Sequence, residues 1–214
     1  MALTPEGPPA TDDGDRPTLV VAVCGASGSI YAVRLVEHLV RRPVCLHLVI
    51  SRAGRTVMAH ETDFPGKDFH AFLRDRGVAF HPEAELTEHG PDDLFAPPAS
   101  GSFPHKGMAV VPCSMKTLGG VASGIADDLI GRAADVCLKE KRPLILAVRE
   151  TPLSLIHIEN MRRAALAGAI ILPACPGFYA GPSTVEELVD TVVGRVLDHL
   201  GIDHQVTRRW GIDT

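Results

Sequence analysis

An arginine and a glutamate stand side by side just after an apolar run, and this pair is the strongest indication of chemistry in the chain. Residues 143–148 are predicted to form a buried strand, Arg149 and Glu150 follow it, and Pro152 ends it. In open parallel sheets, ligands bind beyond the carboxyl ends of the strands. A cation and an acid at such a position can bind a phosphate and transfer a proton.

Small and hydroxyl-bearing residues follow other predicted strands. Gly25-Ala-Ser-Gly28 lies between a strand at 18–24 and a helical pattern that runs through Val40, and Ser51 lies after a strand at 44–50. Glycines let a ligand approach the backbone, and a helix N-terminus attracts an anion. A tight structural turn would also favour the glycines, so this motif taken alone is a weak signal.

A third set follows a strand predicted at 107–111, which Pro112 is expected to end. Ser114 and Thr117 lie there, at the start of a predicted helix. Because the carboxyl ends of parallel strands meet at one edge of a sheet, these hydroxyls, the glycines and Arg149 are expected to line one crevice. Such a crevice suits a phosphate-bearing planar cofactor.

Strand and helix patterns alternate from residue 17 to about residue 201. Further helices are predicted at 52–61, 69–76, 129–141 and 153–167, and a further strand at 169–172. A capping box of Ser183 and Glu186 is expected to start the final helix, which runs to Leu200. Residues 62–102 are less regular, and no strand is predicted there. The alternation indicates a doubly wound α/β sandwich with a parallel sheet.

Composition divides the chain and excludes several classes of function. Residues 1–17 are acidic and rich in proline and glycine, and they are predicted to form a disordered lead rather than a signal peptide. One domain is predicted at 18–202 and a tail at 203–214. The 214-residue chain has a net charge of -5 and a pI near 6.0, which gives no general attraction to nucleic acid or anionic membranes.

The polar and apolar patterns point to a cytoplasmic protein without a metal site. No apolar run approaches the roughly 18–20 residues needed to span a bilayer. The five cysteines form no C-x-x-C pair, and the ten histidines show no ligand spacing. We therefore expect reduced thiols and no structural metal.

Seven motifs in chain order carry a resemblance to a known family. They are Gly-Ala-Ser-Gly at 25–28, Pro-Pro-Ala-Ser-Gly-Ser at 97–102, Pro-Cys-Ser-Met-Lys-Thr-Leu at 112–118, Ala-Asp-Asp-Leu-Ile at 126–130, Arg-Ala-Ala-Asp-Val-Cys-Leu-Lys-Glu at 132–140, Arg-Glu-Thr-Pro-Leu at 149–153 and Pro-Gly-Phe-Tyr at 176–179. The chain resembles the UbiX-type flavin prenyltransferases from about Leu19 to Trp210. Members were formerly described as 3-octaprenyl-4-hydroxybenzoate carboxy-lyases or aromatic acid decarboxylases.

The resemblance implies a flavodoxin-like, Rossmann-type flavoprotein domain that assembles as a homododecamer with active sites at subunit contacts. It implies reduced FMN as the prenyl acceptor and dimethylallyl phosphate as the donor. The dimethylallyl group would be joined to N5 and C6 of the flavin. The product, prenylated FMN, would be passed to a UbiD-type decarboxylase.

The resemblance also assigns site residues, motif by motif. The expected FMN contacts are Gly25, Ala26, Ser27, Ser51, Ser114, Met115, Lys116, Thr117 and Arg149. The expected contacts of dimethylallyl phosphate are Arg132, Lys139, Glu150, Tyr179 and Arg195. The expected catalytic residues are Ser27, Glu61, Glu150 and Lys139. Arg149 and Glu150 would thus serve two different ligands.

The expected chemistry needs no metal. Cations and one acid can stabilise a leaving monophosphate, and the Asp-Asp pairs at 12–13, 92–93 and 127–128 lack the D-D-x-x-D pattern of magnesium-dependent prenyl chemistry. Glu150 is the candidate to exchange a proton with phosphate, and Ser27 to relay protons near flavin N5. Leu94 lies in a loop where some members have tryptophan, so the sequence does not identify the side chain that would form the wall facing the allyl group.

Two other functions stay open on the sequence. A flavin-dependent cysteine decarboxylase of the same fold would need an early catalytic histidine, and neither His38 nor His60 lies in a matching motif. A non-catalytic flavin carrier would not need the second phosphate site that Lys139 and Arg195 imply.

Overall fold

In residues 16–208 and 211, which this computed structural model describes, the chain forms six strands and seven α-helices. The strands are β1 (Thr18–Val23), β2 (Val44–Ile50), β3 (Ala84–His89), β4 (Met108–Cys113), β5 (Leu144–Val148) and β6 (Ile170–Ile171). The helices are α1 (Ser29–Val40), α2 (Arg52–Glu61), α3 (Phe69–Asp75), α4 (Met115–Ser123), α5 (Leu129–Lys139), α6 (Leu155–Leu166) and α7 (Val185–His199). A 3-10 turn covers Pro97–Ala99.

All neighbouring strands pair in parallel, in the order β3-β2-β1-β4-β5-β6. The chain therefore winds outward in both directions from β1 and β4, which is the arrangement that opens a ligand crevice between the loops of these two strands. Helices α1 and α7 pack on one face of the sheet, and α4, α5 and α6 pack on the other. The predicted three-layer, flavodoxin-like and Rossmann-type sandwich is confirmed.

The central strand β1 is apolar on both faces because helices cover each face. Leu19, Val21 and Val23 belong to the core beneath α1 and α7, whereas Val20 and Ala22 belong to the core beneath α4 and α5. All five side chains are fully buried. Burial of apolar surface stabilises by about 25 cal/mol per Å², so β1 is a rigid base for the loop that follows it.

Strand β3 was not predicted, and its position at the sheet edge explains why. The strand alternates half-buried and exposed residues from Ala84 to Glu88, and it pairs only with β2 within the described residues. Its exposed face carries Glu85 and Thr87, so the sequence lacks the apolar run of a central strand. Edge strands commonly carry such polar residues, which discourage pairing with other chains.

Two predicted boundaries were wrong. Pro112 does not end β4, which runs through it to Cys113, with a shift of register to β5 between Val110 and Cys113. A proline lacks the N–H that a regular ladder needs, and the irregularity absorbs that loss. Thr184, not Ser183, caps α7: its hydroxyl accepts from the Glu187 N–H at 3.1 Å, while Ser183 donates to the Glu187 carboxylate.

The described structure extends past both ends of the predicted domain, into the predicted lead and the predicted tail. In the predicted lead, the Pro17 carbonyl accepts from Cys45 N–H at 3.0 Å, and residues 1–15 lie outside the described part of the chain. In the predicted tail, His204 and Thr207 pack against Gly194 of α7, where an added Cβ would lie 3.1 and 3.0 Å from their side chains. Residues 209, 210 and 212–214 are outside the description.

Three buried histidines lie close together: His47 on β2, His89 at the end of β3 and His105 in the segment before β4. His47 Nδ1 and His89 Nε2 are 2.8 Å apart with stacked rings, and Phe103 meets His47 edge-on. Burial lowers the pKa of His47 to about 4, with the neighbouring His89 adding to the effect. Burial, and then the Arg142 charge, lowers the pKa of His105 to about 4. These rings are neutral in the folded chain at neutral pH.

This cluster predicts a loss of stability in mild acid. The unfolded chain takes up protons near pH 6.5, whereas folded His47 and His105 do so only near pH 4, so stability is full above about pH 6.5 and falls toward pH 4. At pH 5, each such histidine lowers the free energy of unfolding by roughly 2 kcal/mol. Urea unfolding of His105→Phe at pH 7 and pH 5 should show a smaller pH dependence than wild type. The exposed-site control His60→Asn should keep the wild-type dependence, and an unchanged dependence in His105→Phe would contradict the argument.

Candidate active site

The ends of four strands are joined at the carboxyl edge of the sheet. Ser51 N–H donates to the Val23 carbonyl at 2.9 Å, and Cys24 N–H donates to the Pro112 carbonyl at 3.2 Å. Arg149 N–H donates to the Cys113 carbonyl at 3.3 Å. The structure therefore brings together the loop residues after β1, β2, β4 and β5 that the sequence placed at one crevice.

The loop between β1 and α1 approaches helix α2 more closely than a side chain would allow. A Cβ added to Gly25 would lie 2.6 Å from the Cβ of Ala53. Gly28 has φ 107°, in the left-handed region, and stands at the N-cap position of α1 without a capping side chain. Gly54 is equally confined, because its Cβ would lie 2.7 Å from the Val23 carbonyl. Sequence reasoning missed Gly54, although a glycine in the first turn of a predicted helix was a signal.

Glu61 supplies the cap that Gly28 lacks. Its Oε2 accepts from the N–H groups of Gly28 and Ser29 at 2.9 and 2.8 Å. Partial burial alone would raise the pKa of Glu61, but a hydrogen bond with the Ser27 side chain and the two backbone N–H groups outweigh it and lower the pKa. Glu61 is therefore a carboxylate at neutral pH, held at the positive end of α1 and bonded to Ser27.

Arg149 and Glu150 point to different surroundings. The Arg149 Nε donates to the Ser27 carbonyl at 2.8 Å and so links the end of β5 to the β1–α1 loop. Glu150 is exposed, and its Oε1 accepts from the Thr151 N–H at 3.1 Å. The adjacent pair therefore divides: the arginine contacts the β1–α1 loop, and the acid is exposed and bonded to the backbone of the next residue.

Serine hydroxyls cap the two other helices that begin at the crevice. Ser51 accepts from Gly54 N–H at 2.9 Å at the start of α2, and Ser114 accepts from Thr117 N–H at 3.3 Å at the start of α4. With α1, three helix N-termini therefore meet here, and each offers partial positive charge to an anion. The Thr117 hydroxyl also bonds Cys24 Sγ at 3.1 Å.

Cys24 is buried directly after β1, and its thiol is not reactive. Burial raises the pKa of its thiol to about 11, and the Thr117 bond only partly opposes that effect. Burial likewise raises the pKa of Cys113. Both thiols stay protonated at neutral pH and serve as packing groups. Met115 beside them is buried, and Lys116 is exposed.

Lys139 and Glu150 lie at opposite edges of the sheet within one chain. Lys139 ends α5, and the residues after it lead into the amino end of β5 at Leu144. Glu150 follows the carboxyl end of the same strand, after Val148. Five strand residues span roughly 13 Å, so one chain does not bring these two predicted catalytic groups together.

The other predicted donor contacts lie on three separate elements. Arg132 binds Asp135 at 2.8 Å and the Ala99 carbonyl at 3.0 Å. Arg195, near the end of α7, binds Asp198 at 2.7 Å. Tyr179 lies on the loop after β6 and is 91% exposed. The single chain thus holds the predicted flavin contacts in one place and the predicted phosphate contacts in several.

Two features are absent from residues 16–208 and 211. No group of three or more His, Cys, Asp or Glu side chains in this part of the chain is arranged to hold a metal ion. No helix in it is both long enough and apolar enough to cross a membrane.

Comparison with known proteins agrees with this geometry. The profile of the Flavoprotein family matches residues 8–197. The flavin prenyltransferase UbiX of Pseudomonas aeruginosa is 48% identical over 198 residues, which cover 90% of this chain and 93% of that protein. The UbiX of Halalkalibacterium halodurans is 45% identical over 191 residues, which cover 89% of this chain and 92% of that one.

Solved structures give the same result. A structure of AnUbiX (PadA1) in complex with FMN and dimethylallyl pyrophosphate has a TM-score of 0.82 and 42% identity, covering 92% of this chain and 98% of that chain. A dodecameric FMN-dependent UbiX-like decarboxylase from Escherichia coli O157:H7 has a TM-score of 0.80 and 43% identity, covering 90% and 98%.

A more distant structure shares the fold of this chain but little of its sequence. The FMN-dependent cysteine decarboxylase TvaF has a TM-score of 0.55 and is only 16% identical, which shows a shared fold alone. The UbiX proteins instead match in sequence over about nine-tenths of the chain. This chain belongs to the UbiX-type flavin prenyltransferases, within the Flavoprotein family.

Proposed function

We propose that this protein is a flavin prenyltransferase that joins the dimethylallyl group of dimethylallyl phosphate to N5 and C6 of reduced FMN, for use by a UbiD-type decarboxylase. The observation that carries the proposal is the crevice in which Ser27 is held by both Glu61 and Arg149, in a chain 48% identical to a UbiX enzyme. A flavin carrier would not need an ionised acid bonded to a serine at that position.

The residues at the carboxyl edge fit FMN. Three helix N-termini and Arg149 supply the positive charge that a phosphate needs, and the close packing of Gly25 against Ala53 fixes the loop on which the flavin would rest. The residues that would hold FMN are Gly25, Ala26, Ser27, Ser51, Ser114, Met115, Lys116, Thr117 and Arg149. When bound in its reduced form, the flavin supplies the two nucleophilic atoms, N5 and C6.

The protein's part in the reaction is to handle one phosphate and three proton transfers. The C–O bond of dimethylallyl phosphate would break with its electron pair leaving on phosphate, and the N5–C bond would replace the N5–H bond. The C=C bond of the prenyl group would then take up one proton at its CH carbon, while its dimethyl-bearing carbon forms the bond to C6 and the C6–H proton is lost. Ser27, oriented by ionised Glu61, is placed to pass these protons on. Glu150 exchanges a proton with the phosphate, and the cations stabilise its charge without a metal.

The donor site is proposed to form between copies of the chain. Lys139 and Glu150 lie too far apart in one chain to bind one phosphate, so a second copy must supply Arg132, Lys139, Tyr179 or Arg195. Exposed apolar side chains offer surfaces for such packing, at Phe95 and along α6 at Leu155, Ile156, Ile158 and Leu166. A homododecamer, as in the E. coli relative, would create these contacts.

A cytoplasmic location is proposed from the cysteines. All five are free, and two of them are buried beside the flavin crevice as protonated thiols. Free thiols persist in reducing compartments. Fractionation of cells that express the protein tests this, and recovery outside the cytoplasm would contradict it.

Gly25→Ala should weaken FMN binding by about tenfold or more, which corresponds to about 1.4 kcal/mol. The new methyl group would collide with Ala53 and displace the β1–α1 loop. Quenching of FMN fluorescence measures the Kd. Gly90→Ala is the matched control, because a Cβ there meets nothing within 4 Å. An unchanged Kd for Gly25→Ala would show that the flavin does not rest on this loop.

Anaerobic incubation of the purified protein with reduced FMN and dimethylallyl phosphate should add one prenyl unit to the flavin, because the crevice presents both a flavin site and an acid for the leaving phosphate. Mass spectrometry of the released flavin detects the product. Unchanged flavin would rule out the prenyltransferase. Decarboxylation of a peptide with a C-terminal cysteine would instead establish the cysteine decarboxylase.

Glu150→Gln and Lys139→Met should each slow prenylation by about 100-fold or more, since each removes a group that acts on the phosphate. If the two residues of one site come from different copies, unfolding and reassembling the two variants together restores about a quarter of the sites. Prenylation by the mixture, compared with each variant reassembled alone, is the measurement. A mixture no more active than its parts would mean that the site does not combine these residues across copies.

A further inference from the structure

The 3-10 turn and the segment after it lie along helix α5, and two arginines, one near the start of this helix and one beyond its end, bind their backbone. Arg132 Nε donates to the Ala99 carbonyl at 3.0 Å. Arg142, in the connection from α5 to β5, donates through Nη2 to the Gly101 carbonyl at 2.7 Å and through Nη1 to the Phe103 carbonyl at 2.8 Å. One guanidinium fork therefore fixes two alternate carbonyls of a segment about 40 residues away in sequence.

The glycine of this segment makes room for Lys139. A Cβ added to Gly101 would lie 2.7 Å from Lys139 Nζ and closer still to Glu140 Oε1. Lys139 Nζ in turn donates to Glu140 Oε1 at 2.8 Å. The ammonium group therefore rests over the bare Cα of Gly101, beside the Glu140 carboxylate. Its position depends on where the backbone at residue 101 is held.

We propose that Arg142 and Gly101 are positioning residues, which fix the Lys139 ammonium so that it can receive the donor phosphate. This inference rests on the proposed function of Lys139. A lysine is a point charge on a flexible four-carbon chain, so its place is set by what surrounds it. Arg142 acts indirectly, because it holds the backbone of residues 101–103 in place. That backbone restricts the position of the Lys139 ammonium, which contacts the phosphate.

The Lys139–Glu140 ion pair and the two Arg142 hydrogen bonds differ in how strongly they fix the position of the Lys139 ammonium. The Lys139–Glu140 pair joins neighbouring residues on the surface, and such exposed pairs contribute little by themselves. The Arg142 contacts join distant parts of the chain, and a planar fork loses little freedom when it makes two bonds at once. The tertiary contact, rather than the local ion pair, is therefore what determines the location of the ammonium.

Gly101→Ala tests the proposal without changing any charge. Gly101 does not have a left-handed φ, so alanine fits its backbone, and the atoms that must move are the ends of two flexible side chains. At saturating reduced FMN, the KM for dimethylallyl phosphate should rise about five- to twentyfold with kcat changed less than about twofold, since small displacements of a binding group are costly. Light scattering should show the wild-type assembly.

Arg142→Gln should raise the KM similarly, and Arg142→Lys should not restore it, because an ammonium cannot bridge two carbonyls as a guanidinium does. Arg42→Gln is the matched control. Arg42 is also a half-buried arginine that donates to a carbonyl, that of Asp203, but it has no contact with the 99–103 segment. It should lower the Tm and leave the KM unchanged.

A double-mutant cycle asks whether Lys139 is the intermediary. In a Lys139→Met background, Gly101→Ala should lower kcat/KM by no more than about twofold, because coupled residues are not additive. A full additional loss there would refute the proposal, as would an unchanged KM in Gly101→Ala and Arg142→Gln. A wild-type protein that makes no prenylated FMN would refute the proposed function itself, which is a separate outcome.

Discussion

The carboxylate of Glu61 at the N-terminus of α1 is the interaction on which the crevice depends. Gly28 is needed for its left-handed backbone, but a glycine cannot cap the helix that it begins. Glu61, at the far end of α2, binds the free N–H groups and the Ser27 side chain together. Because these bonds favour the ionised form, the same contact that orders the loop also keeps an acid charged beside the serine.

The sheet then decides which groups this ordered loop can meet. Parallel strands place every loop after a strand at one edge, so Ser51, Ser114 and Arg149 converge on Ser27 from three directions. The same rule sends Lys139, which precedes β5, to the opposite edge. A reaction that needs both edges therefore calls for two copies of the chain, and the exposed apolar side chains of α6 provide a surface on which copies could meet.

Much of the fold could be predicted because its strongest signals are local. Apolar periodicity and a glycine at the start predicted α1, and continuous apolar runs predicted β1, β2 and β5 with small errors at their ends. Strand β3 escaped because its exposed face carries Glu85 and Thr87, and its pairing with β2 is a long-range contact. Pro112 was wrongly predicted to end β4, because a proline usually ends a central strand. Here the pairing with the neighbouring strand shifts its register and accommodates the proline, which is again a long-range effect.

By itself, the sequence determined the alternation of strands and helices, the residue types at the strand ends and the family to which they belong. Only the tertiary structure bonded Arg149 to the Ser27 carbonyl, bonded Glu61 to the start of α1 and placed Lys139 over Gly101, whose carbonyl Arg142 binds. The physical reason is that propensity and periodicity act over a few residues, whereas these contacts join segments about 30 to 120 residues apart. Their geometry exists only once the sheet has assembled and its helices have packed.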